Sequence, residues 1–259
     1  MRLDVYLVET GLAKSRSYAA ELIKNSLVTV DGKTVVKSSF NVDGNEVSVT
    51  GELYPFVGRG GVKLDFALDS FSLDVSGLTA LDVGASTGGF TDCLLRRGAA
   101  SVTALDSGHG QLDEKLASDP RVVNLEGFNA KDLSNETFNE KYDIAVCDVS
   151  FISQTLILKG ISEALKPGGA FISLIKPQFE CGRAALGKGG IVKDKRYYLE
   201  SAVKVIGCAK TFGLTCRGVI ASPVKGGDGN TEFLAYFRKE DGTSVGEDMI
   251  REVTLCSRV

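Results

Sequence analysis

The sequence is informative first for what it lacks. A single histidine, His109, leaves little room for a zinc cluster or for histidine-based acid–base chemistry, so most triad hydrolases are excluded and no metal is expected. The six cysteines show no CxxC spacing, which favours reduced thiols in a cytoplasmic protein. No apolar run approaches the roughly 20 residues that span a bilayer, and the first residues lack the apolar core of a secretory signal. We therefore expect a soluble protein that does not bind membranes.

An excess of one charge is also missing. The 259 residues contain 30 Lys and Arg against 33 Asp and Glu, which gives a net charge of -3. This balance excludes a uniformly basic nucleic-acid-binding protein, so any anionic partner must be bound by a local patch. With 43% hydrophobic and 24% charged residues, the chain has the composition of an ordinary globular protein that can bury a core.

The pattern of residues divides the chain into segments. Residues 1–50 predict a helical hairpin followed by a small sheet, with Ser15 as a helix N-cap and a strand ending in the turn Asp31-Gly32. Residues 51–62 contain Pro55 and the run Gly58–Gly61, a composition typical of a linker. We expect a second domain over residues 63–240 and a polar tail over residues 241–259.

From Lys63 onward, apolar strand-like runs alternate with amphipathic helical stretches. This alternation predicts a doubly wound, Rossmann-like α/β sheet. Helix positions are expected around Leu94 and Leu95 and over Leu156 to Leu165, with a helix stop at Lys166–Gly169. The predicted strands are Thr79–Val83, Ser101–Asp106, Val122–Glu126, Ile144–Asp148, Ala170–Ile175, Gly218–Ser222 and Phe233–Arg238.

A glycine-rich turn follows the first of these strands. The segment Leu81–Thr91 reads as a strand, a turn of small residues and a helix start, which is the arrangement that brings a ligand close to the backbone. Asp106 ends the second strand, where a carboxylate can accept hydrogen bonds from both ribose hydroxyls of a nucleoside. The turn matches neither GxGxxG nor a phosphate loop, so a nucleoside ligand without phosphates is favoured.

The string D-V-G-A-S-T-G-G-F-T resembles the first motif of S-adenosylmethionine-dependent methyltransferases, especially the FtsJ-like RNA ribose methyltransferases. That resemblance implies S-adenosylmethionine as the cofactor. Asp132 is the expected adenine contact with Asn129 as the second candidate, and a phenylalanine at the position of Phe90 is more often a core residue than a cofactor contact. The cofactor-binding residues implied by the resemblance are Asp82, Gly84, Ser86, Thr87, Gly88, Gly89, Phe90, Asp106, Asn129 and Asp132.

Four ionisable residues, Lys63, Asp148, Lys176 and Glu232, lie at the ends of predicted elements. Because the ends of parallel strands share one edge of a sheet, these residues could meet there. A 2'-hydroxyl must lose its proton as it attacks a methyl group, and a lysine near a second cation in a partly dry cleft can accept that proton. Lys176 is the predicted base, with Asp148 and Glu232 orienting it and Lys63 supporting the hydroxyl or a phosphate. The sequence leaves open which lysine is neutral.

A Lys-Asp-Lys-Glu set in this order is characteristic of FtsJ-like 2'-O-methyltransferases, and a narrower resemblance covers about residues 1–238. Residues 59–64, 147–153, 175–180, 187–192 and 222–232 resemble the TlyA, or hemolysin A, family. That resemblance implies 2'-O-methylation of cytidine in ribosomal RNA, with ribosomal subunits as partners. The glycine-rich segments 187–190 and 226–229 are expected to be mobile loops at the substrate rim.

The first segment resembles the small RNA-binding domain first seen in ribosomal small-subunit protein four. The resemblance rests on Arg2-Leu3-Asp4, Ser15-Arg16-Ser17, Leu22-Ile23 and Val28–Lys33. Such a domain docks structured RNA by shape and phosphate contacts. The candidate RNA-binding residues of the whole chain are Arg2, Lys14, Arg16, Lys24, Lys33, Arg59, Lys188 and Lys225.

Two other functions are compatible with parts of this pattern. The first is a noncatalytic RNA-binding or ribosome assembly factor that keeps a vestigial cofactor pocket. The second is a membrane-active hemolysin, which the absence of a membrane span and of a large cationic amphipathic helix disfavours. The nucleotide and the ribosomal subunit are not fixed by the sequence.

Overall fold

The computed structural model describes residues 1–256. The chain divides into two compact units, the first spanning Met1–Pro55 and the second beginning at Phe56. Within residues 1–256, no helix combines the length and the apolar character needed to cross a membrane.

The first unit is a helical hairpin followed by a three-stranded antiparallel sheet in the order β2-β1-β3. Ser15 caps the second helix as predicted, since its hydroxyl accepts a hydrogen bond of 3.2 Å from the backbone N–H of Tyr18. Leu3, Leu7 and Ile23 are fully buried and give the unit its own core. Its elements are α1 (Leu3–Glu9), α2 (Arg16–Lys24), β1 (Val28–Val30), β2 (Lys33–Thr34) and β3 (Val47–Val49).

The second unit is a seven-stranded sheet in the order β6-β5-β4-β7-β8-β10-β9. Only β10 runs antiparallel to its neighbours. The strands are β4 (Thr79–Val83), β5 (Ser101–Asp106), β6 (Val122–Glu126), β7 (Tyr142–Cys147), β8 (Leu165–Ile175), β9 (Leu214–Ala221) and β10 (Phe233–Lys239). The α-helices are α3 (Arg59–Ser70), α4 (Gly89–Arg96), α5 (Glu114–Ala117), α6 (Leu158–Ala164), α7 (Pro177–Glu180), α8 (Arg196–Thr211) and α9 (Glu247–Arg251).

This topology confirms the predicted doubly wound α/β fold. Both faces of the sheet are covered, because Leu81 and Val83 of β4 belong to one apolar cluster and Ala80 to the other. Fully buried parallel strands read as short apolar runs, which is why the sequence revealed them. The chain leaves β4 in one direction toward β5 and β6 and returns on its other side with β7, so β4 and β7 form the switch point where doubly wound sheets bind ligands.

The end of the expected linker is helical. Helix α3 begins at Arg59, so residues 59–62 form its first turn rather than a flexible connection. Val57 N donates a hydrogen bond of 2.9 Å to Asp92 Oδ2, and a Cβ added to Gly61 would lie 2.3 Å from the ring of Phe56. Glycine at this position therefore lets the helix pack closely on Phe56. A glycine-rich composition is compatible with both close packing and a flexible linker, so composition alone did not predict this helix.

Most of the residues that the sequence predicts to form a polar tail are packed against the second unit. Val245 N donates a hydrogen bond to the carbonyl oxygen of Cys216 in β9, and the segment continues into α9 and a π-helical turn over Glu252–Cys256. Ile250 and Thr254 are 3% and 2% exposed, so residues 244–256 cover part of the sheet. A few apolar side chains in a polar stretch gave too weak a pattern to predict this packing. The last residues of the expected tail, 257–259, lie outside the described residues.

One predicted helix is shorter than expected. Leu156 lies in a 3-10 turn before α6, and Leu165 already begins β8, so the expected helix stop at Lys166–Gly169 falls inside a strand. Lys239 Nζ donates hydrogen bonds to the carbonyl oxygens of Ser162 and Leu165. These contacts from a distant strand satisfy the helix end, which explains why local signals misplaced it.

Candidate active site

The four proposed catalytic residues reach one edge of the sheet. Asp148 directly follows β7 and Lys176 directly follows β8, and these two strands pair in parallel. Glu232 directly precedes β10, which runs antiparallel to β8 and therefore starts at the edge where β8 ends. Lys63 is contributed by α3.

The side chains form two ion pairs in one cavity. Lys63 Nζ lies 2.5 Å from Glu232 Oε2. Lys176 Nζ lies 2.6 Å from Asp148 Oδ1 and donates a hydrogen bond of 2.8 Å to Ser150 Oγ. The contact between Lys176 and Asp148 is an ion pair without the alignment of a hydrogen bond, because Asp148 Oδ1 has no aligned donor. All five residues line a cavity of about 360 Å³, which we call the lysine cavity.

The two pairs differ in their access to solvent. The side chains of Lys63 and Glu232 are 8% and 2% exposed, whereas those of Lys176 and Asp148 are 11% and 20% exposed. A buried charge is stable only with its partner, so Lys63 and Glu232 hold each other in place. Lys176 has the more accessible partner, which makes it the lysine better placed to meet a substrate hydroxyl.

A second cavity of about 460 Å³ lies beside the glycine-rich turn, and we call it the Asp106 cavity. Each Asp106 carboxylate oxygen accepts a backbone hydrogen bond of 2.8 Å, Oδ2 from Ser86 N and Oδ1 from Gly108 N. These bonds fix the carboxylate at the end of β5 and leave lone pairs on both oxygens, because a carboxylate can accept about four hydrogen bonds. The site therefore suits a pair of vicinal hydroxyls.

The two cavities share a wall. The residues that line both are Gly84, Ser86, Asp148, Ser150 and Phe151. Gly84 has a φ of 86°, and a Cβ at this position would lie 2.8 Å from the carbonyl oxygen of Asp148. Only glycine allows the turn to pass this close to the end of β7. A group bound in one cavity can therefore meet a group bound in the other at Asp148.

Some residues of the glycine-rich turn line a cavity, and others are packed inside the protein. Thr87, Gly89 and Phe90 line the lysine cavity, and Phe90 is only 3% exposed. Gly88 is not among the lining residues, and with a φ of 95° it packs under Leu112 and Leu116 instead. The turn therefore does not form a single surface for a cofactor. Gly84 and Ser86 line both cavities, whereas Thr87, Gly89 and Phe90 line the lysine cavity only.

The geometry favours Asn129 over Asp132 as an adenine contact. Asn129 lines the Asp106 cavity together with Phe128, Ala130 and Lys131. Asp132 is exposed and is not a lining residue of either cavity, because the chain forms a 3-10 turn over Ala130–Asp132 that carries it past the opening. Sequence spacing placed both residues after β6 but did not resolve this turn.

Asp82 is fully buried inside β4 and reaches neither cavity. Thr91 donates a hydrogen bond of 2.7 Å to its Oδ2, while Oδ1 has no partner. Burial, reinforced by the nearby charge of Asp148, raises the pKa of Asp82 to about 7. Its contact with Thr91 joins β4 to α4, which supports the turn between them.

We expect this buried carboxyl to reduce stability as the pH rises. Between pH 3.8, the ordinary pKa of aspartate, and about 7, the unfolded chain has lost the proton that the folded chain retains. The free energy of unfolding therefore falls across this window, by up to about 4 kcal/mol, and is flat above it. Asp82→Asn should remove this loss, so urea unfolding should show a larger gain over wild type at pH 8 than at pH 5. The exposed Asp241→Asn is the control, and an equal effect of Asp82→Asn at both pH values would contradict the assignment.

Two residues of the shared wall were quoted in a motif but not singled out as site residues. Ser150 accepts the hydrogen bond from Lys176, and Phe151 is 92% exposed with a φ of 64°. The Phe151 ring centroid lies 5.2 Å from that of Phe179. A bulky residue in the left-handed region is rare, and such strain clusters at functional sites. Nothing in a single sequence marks that conformation.

A buried polar network supports the loop that carries Phe151. Glu180 is 7% exposed, and its carboxylate accepts hydrogen bonds of 2.6 Å from Ser153 Oγ and 2.7 Å from Gln154 N. The Gln154 side chain donates to the carbonyl oxygen of Leu174 and accepts from Ser173 Oγ. The loop after β7 is therefore tied to β8 beneath Lys176.

The basic candidates of the first unit are exposed, and two of them are held by one carboxylate. Asp4 is 5% exposed, and it receives Arg2 Nε at 2.9 Å and Arg16 Nη2 at 3.0 Å. The hydrogen bond from Arg2, with help from Arg16, holds the pKa of Asp4 at about 2. Lys14 lies 5.0 Å from the ring centroid of Tyr18. The other exposed candidates of this unit are Lys24 and Lys33.

One basic candidate of the second unit lines the lysine cavity, and the other two lie on the glycine-rich loops. Arg59 lines the cavity. Lys188 and Lys225 are exposed on the two glycine-rich loops, and the second loop contributes Gly227 and Asp228 to the cavity wall. Arg59 therefore places a positive charge at the cavity itself, and Lys225 belongs to a loop that forms part of the cavity wall.

The comparisons with known proteins agree with these features. Residues 56–239 match the FtsJ-like methyltransferase model, and residues 1–48 match the S4 domain model. The 16S/23S rRNA (cytidine-2'-O)-methyltransferase TlyA of Mycobacterium tuberculosis is 42% identical over 92% of this chain and 90% of its own length. Hemolysin A of Brachyspira hyodysenteriae is 43% identical over 92% of this chain and 99% of its own length.

A solved structure gives the same result. A protein from Streptococcus thermophilus that carries a provisional hemolysin name has a TM-score of 0.80 and 38% identity, covering 98% of this chain and 94% of its own. The similarity therefore extends over both units of the chain. The chain, which combines an S4 domain with an FtsJ-like methyltransferase domain, therefore belongs to the TlyA, or hemolysin A, family.

Proposed function

We propose that the protein transfers the methyl group of S-adenosylmethionine to a ribose 2'-hydroxyl of cytidine in ribosomal RNA. The observation that carries this proposal is the position of Lys176 Nζ in the lysine cavity, 2.6 Å from Oδ1 of Asp148, a residue that lines both cavities. One cavity has the groups that suit a nucleoside, and the other has the groups that suit a hydroxyl about to lose its proton.

The Asp106 cavity fits S-adenosylmethionine. The Asp106 carboxylate is held by two backbone N–H groups and can accept the ribose hydroxyls, while Asn129 and Phe128 line the part of the cavity that would receive the base. Gly84, Ser86 and Asp148 line the side of this cavity that adjoins the lysine cavity, where the methionine portion would lie. When bound, S-adenosylmethionine supplies an electrophilic methyl group with its own leaving group.

Within the lysine cavity, the protein's task is to align a hydroxyl and to accept its proton. Lys176, in its neutral form, takes the proton from the 2'-hydroxyl, and Asp148 then stabilises the ammonium that forms. Ser150 fixes the direction of the Lys176 side chain. The Lys63–Glu232 pair closes the base of the cavity, and Arg59 at its edge provides a charge for an RNA phosphate. Holding both reactants in register is worth about 7 kcal/mol or more.

Ribosomal RNA is favoured as the substrate because the chain carries an S4 domain and resembles rRNA methyltransferases over nearly its full length. The first unit presents exposed Arg and Lys side chains, as expected of a surface that contacts RNA phosphates.

A transfer assay tests this function against the alternatives. Purified protein is incubated with tritiated S-adenosylmethionine and with each ribosomal subunit from cells that lack the gene. We expect label in RNA that alkaline hydrolysis releases as a resistant dinucleotide, since a 2'-O-methyl group blocks cleavage of the next phosphodiester bond. RNA binding without label in either subunit would favour an assembly factor, and label outside ribose would overturn the proposed chemistry. Dye leakage from liposomes without RNA modification would support a hemolysin.

Phe151 gives a second measurable consequence. Its exposed ring on the shared wall is suited to stack on an unpaired base beside the target ribose, and such stacking is worth about 1–3 kcal/mol per base. Phe151→Ala should raise the KM for RNA about tenfold or more, while Phe151→Tyr should stay close to wild type. Phe66→Ala is the matched control, because Phe66 is 41% exposed and does not line the cavity. Equal KM values for Phe151→Ala and Phe66→Ala would contradict a stacking role.

A further inference from the structure

Asn230 joins the two glycine-rich loops. Its side chain is 1% exposed, although it lies in a loop. Its Nδ2 donates a hydrogen bond of 3.0 Å to the carbonyl oxygen of Gly190, and its Oδ1 accepts one of 3.0 Å from Val192 N. Both ends of the amide are therefore bonded to the loop of residues 187–192, although Asn230 itself belongs to the loop of residues 224–230.

Each loop is closed by bonds of its own. Gly187 N donates to the carbonyl oxygen of Ile191 at 2.7 Å, which makes the first loop a tight turn. In the second loop, Gly226 N donates to the backbone carbonyl oxygen of Asn230 at 2.9 Å. Asn230 thus belongs to the closure of its own loop and also binds the neighbouring one. These contacts connect the two loops that the sequence predicts to be mobile.

The second loop leads directly into the site. Glu232 follows Asn230 by two residues and forms the buried pair with Lys63. A Cβ added to Gly226 would lie 2.5 Å from Glu232 Oε1, so the loop packs directly on that carboxylate. The same loop contributes Gly227 and Asp228 to the wall of the lysine cavity. A displacement of this loop would move both the wall and Glu232.

We propose that Asn230 is a positioning residue that fastens the loop of residues 187–192 to the loop of residues 224–230 and so makes rigid the wall that the second loop contributes to the lysine cavity. The wall holds Glu232 in its pair with Lys63 and fixes Lys188 and Lys225, one on each loop, in a constant arrangement toward an RNA backbone. An asparagine is suited to this task because its amide offers a donor and an acceptor in one plane. The role of the wall in turnover rests on the proposed methyl transfer, whereas the link between the loops does not.

Hydrogen exchange tests the link without any assay of activity. In Asn230→Ala, the Val192 amide loses its acceptor, so we expect its exchange to accelerate at least tenfold and trypsin to cleave faster after Lys188. Asn230→Asp keeps the acceptor for Val192 but places a carboxylate oxygen against the Gly190 carbonyl, so it should give a smaller acceleration. Asn139→Ala is the control, because Asn139 is exposed and lies outside both loops. Unchanged exchange at Val192 in Asn230→Ala would overturn the proposal, even if the wild-type protein transferred no methyl group.

Kinetics then test the consequence for the site. We expect kcat to fall ten- to a hundredfold in Asn230→Ala, with the Kd for S-adenosylmethionine within twofold of wild type, because the Asp106 cavity shares no residue with either loop. A general loss of folding would instead weaken donor binding and lower the melting temperature. If Asn230→Ala does not fold, Asn230→Asp carries the same comparison. Faster exchange at Val192 with an unchanged kcat would show that the link is structural only and would overturn its role in positioning.

Discussion

Lys176→Met should lower kcat for methyl transfer by about 10³-fold and leave the Kd for S-adenosylmethionine within a few-fold of wild type. General acid–base catalysis contributes about 10²- to 10⁴-fold, and Lys176 contacts Asp148 and Ser150 of the wall that both cavities share. Methionine keeps most of the side-chain volume, so the cavity should keep its shape. Single-turnover rates and equilibrium dialysis with labelled donor measure the two quantities separately.

Lys176→Arg distinguishes a base from a simple positive charge. A guanidinium can retain the ion pair with Asp148, but it does not give up its proton in the accessible pH range. We expect this variant to be nearly as slow as Lys176→Met. Lys159→Met is the matched control, since the Lys159 side chain is 70% exposed on α6 and lies away from both cavities. Activity close to wild type in Lys176→Arg would show that Lys176 acts by its charge and that another group accepts the proton.

The sequence predicted those parts of the fold that depend on local pattern. Strands β4, β5 and β6 have the bounds that their apolar runs indicated. Strands β4 and β5 are largely buried, whereas β6 lies at the edge of the sheet and exposes Val123. The meeting of Lys63, Asp148, Lys176 and Glu232 followed from topology, since strands that are distant in sequence end at one edge of a doubly wound sheet.

The remaining features depend on contacts between distant residues. The interaction of Asn230 with Gly190 and Val192 crosses about forty residues of chain, and no periodicity encodes it. Phe151 gains its significance from a backbone angle, and Asp82 from complete burial. The pairing inside the catalytic set was not predicted either. The sequence suggested that Asp148 and Glu232 both orient Lys176, whereas the structure places Glu232 against Lys63.

This pairing predicts that Lys63 and Glu232 are coupled in stability. Lys63→Met leaves a carboxylate buried without its partner, and Glu232→Gln leaves a buried ammonium, so each should lower the free energy of unfolding by about 3–5 kcal/mol. The double variant removes both charges and leaves an apolar and an amide side chain of similar volume. We expect it to regain most of the lost stability, because replacement of a whole buried pair is often neutral. Urea unfolding of the four proteins gives the coupling energy directly.

The rate of methyl transfer should not recover together with the free energy of unfolding in the double variant of Lys63 and Glu232. The double variant should fold well because it leaves no unpaired buried charge. It should remain as inactive as the single variants because both residues line the lysine cavity. The exposed pair Lys159–Glu163, with its 3.8 Å separation, is the matched control, and its double-mutant cycle should give a coupling energy below about 1 kcal/mol. Additive losses at Lys63 and Glu232 would contradict a tight buried pair. Recovery of activity in the double variant would show that the pair serves folding alone, because the reaction would then need neither charge.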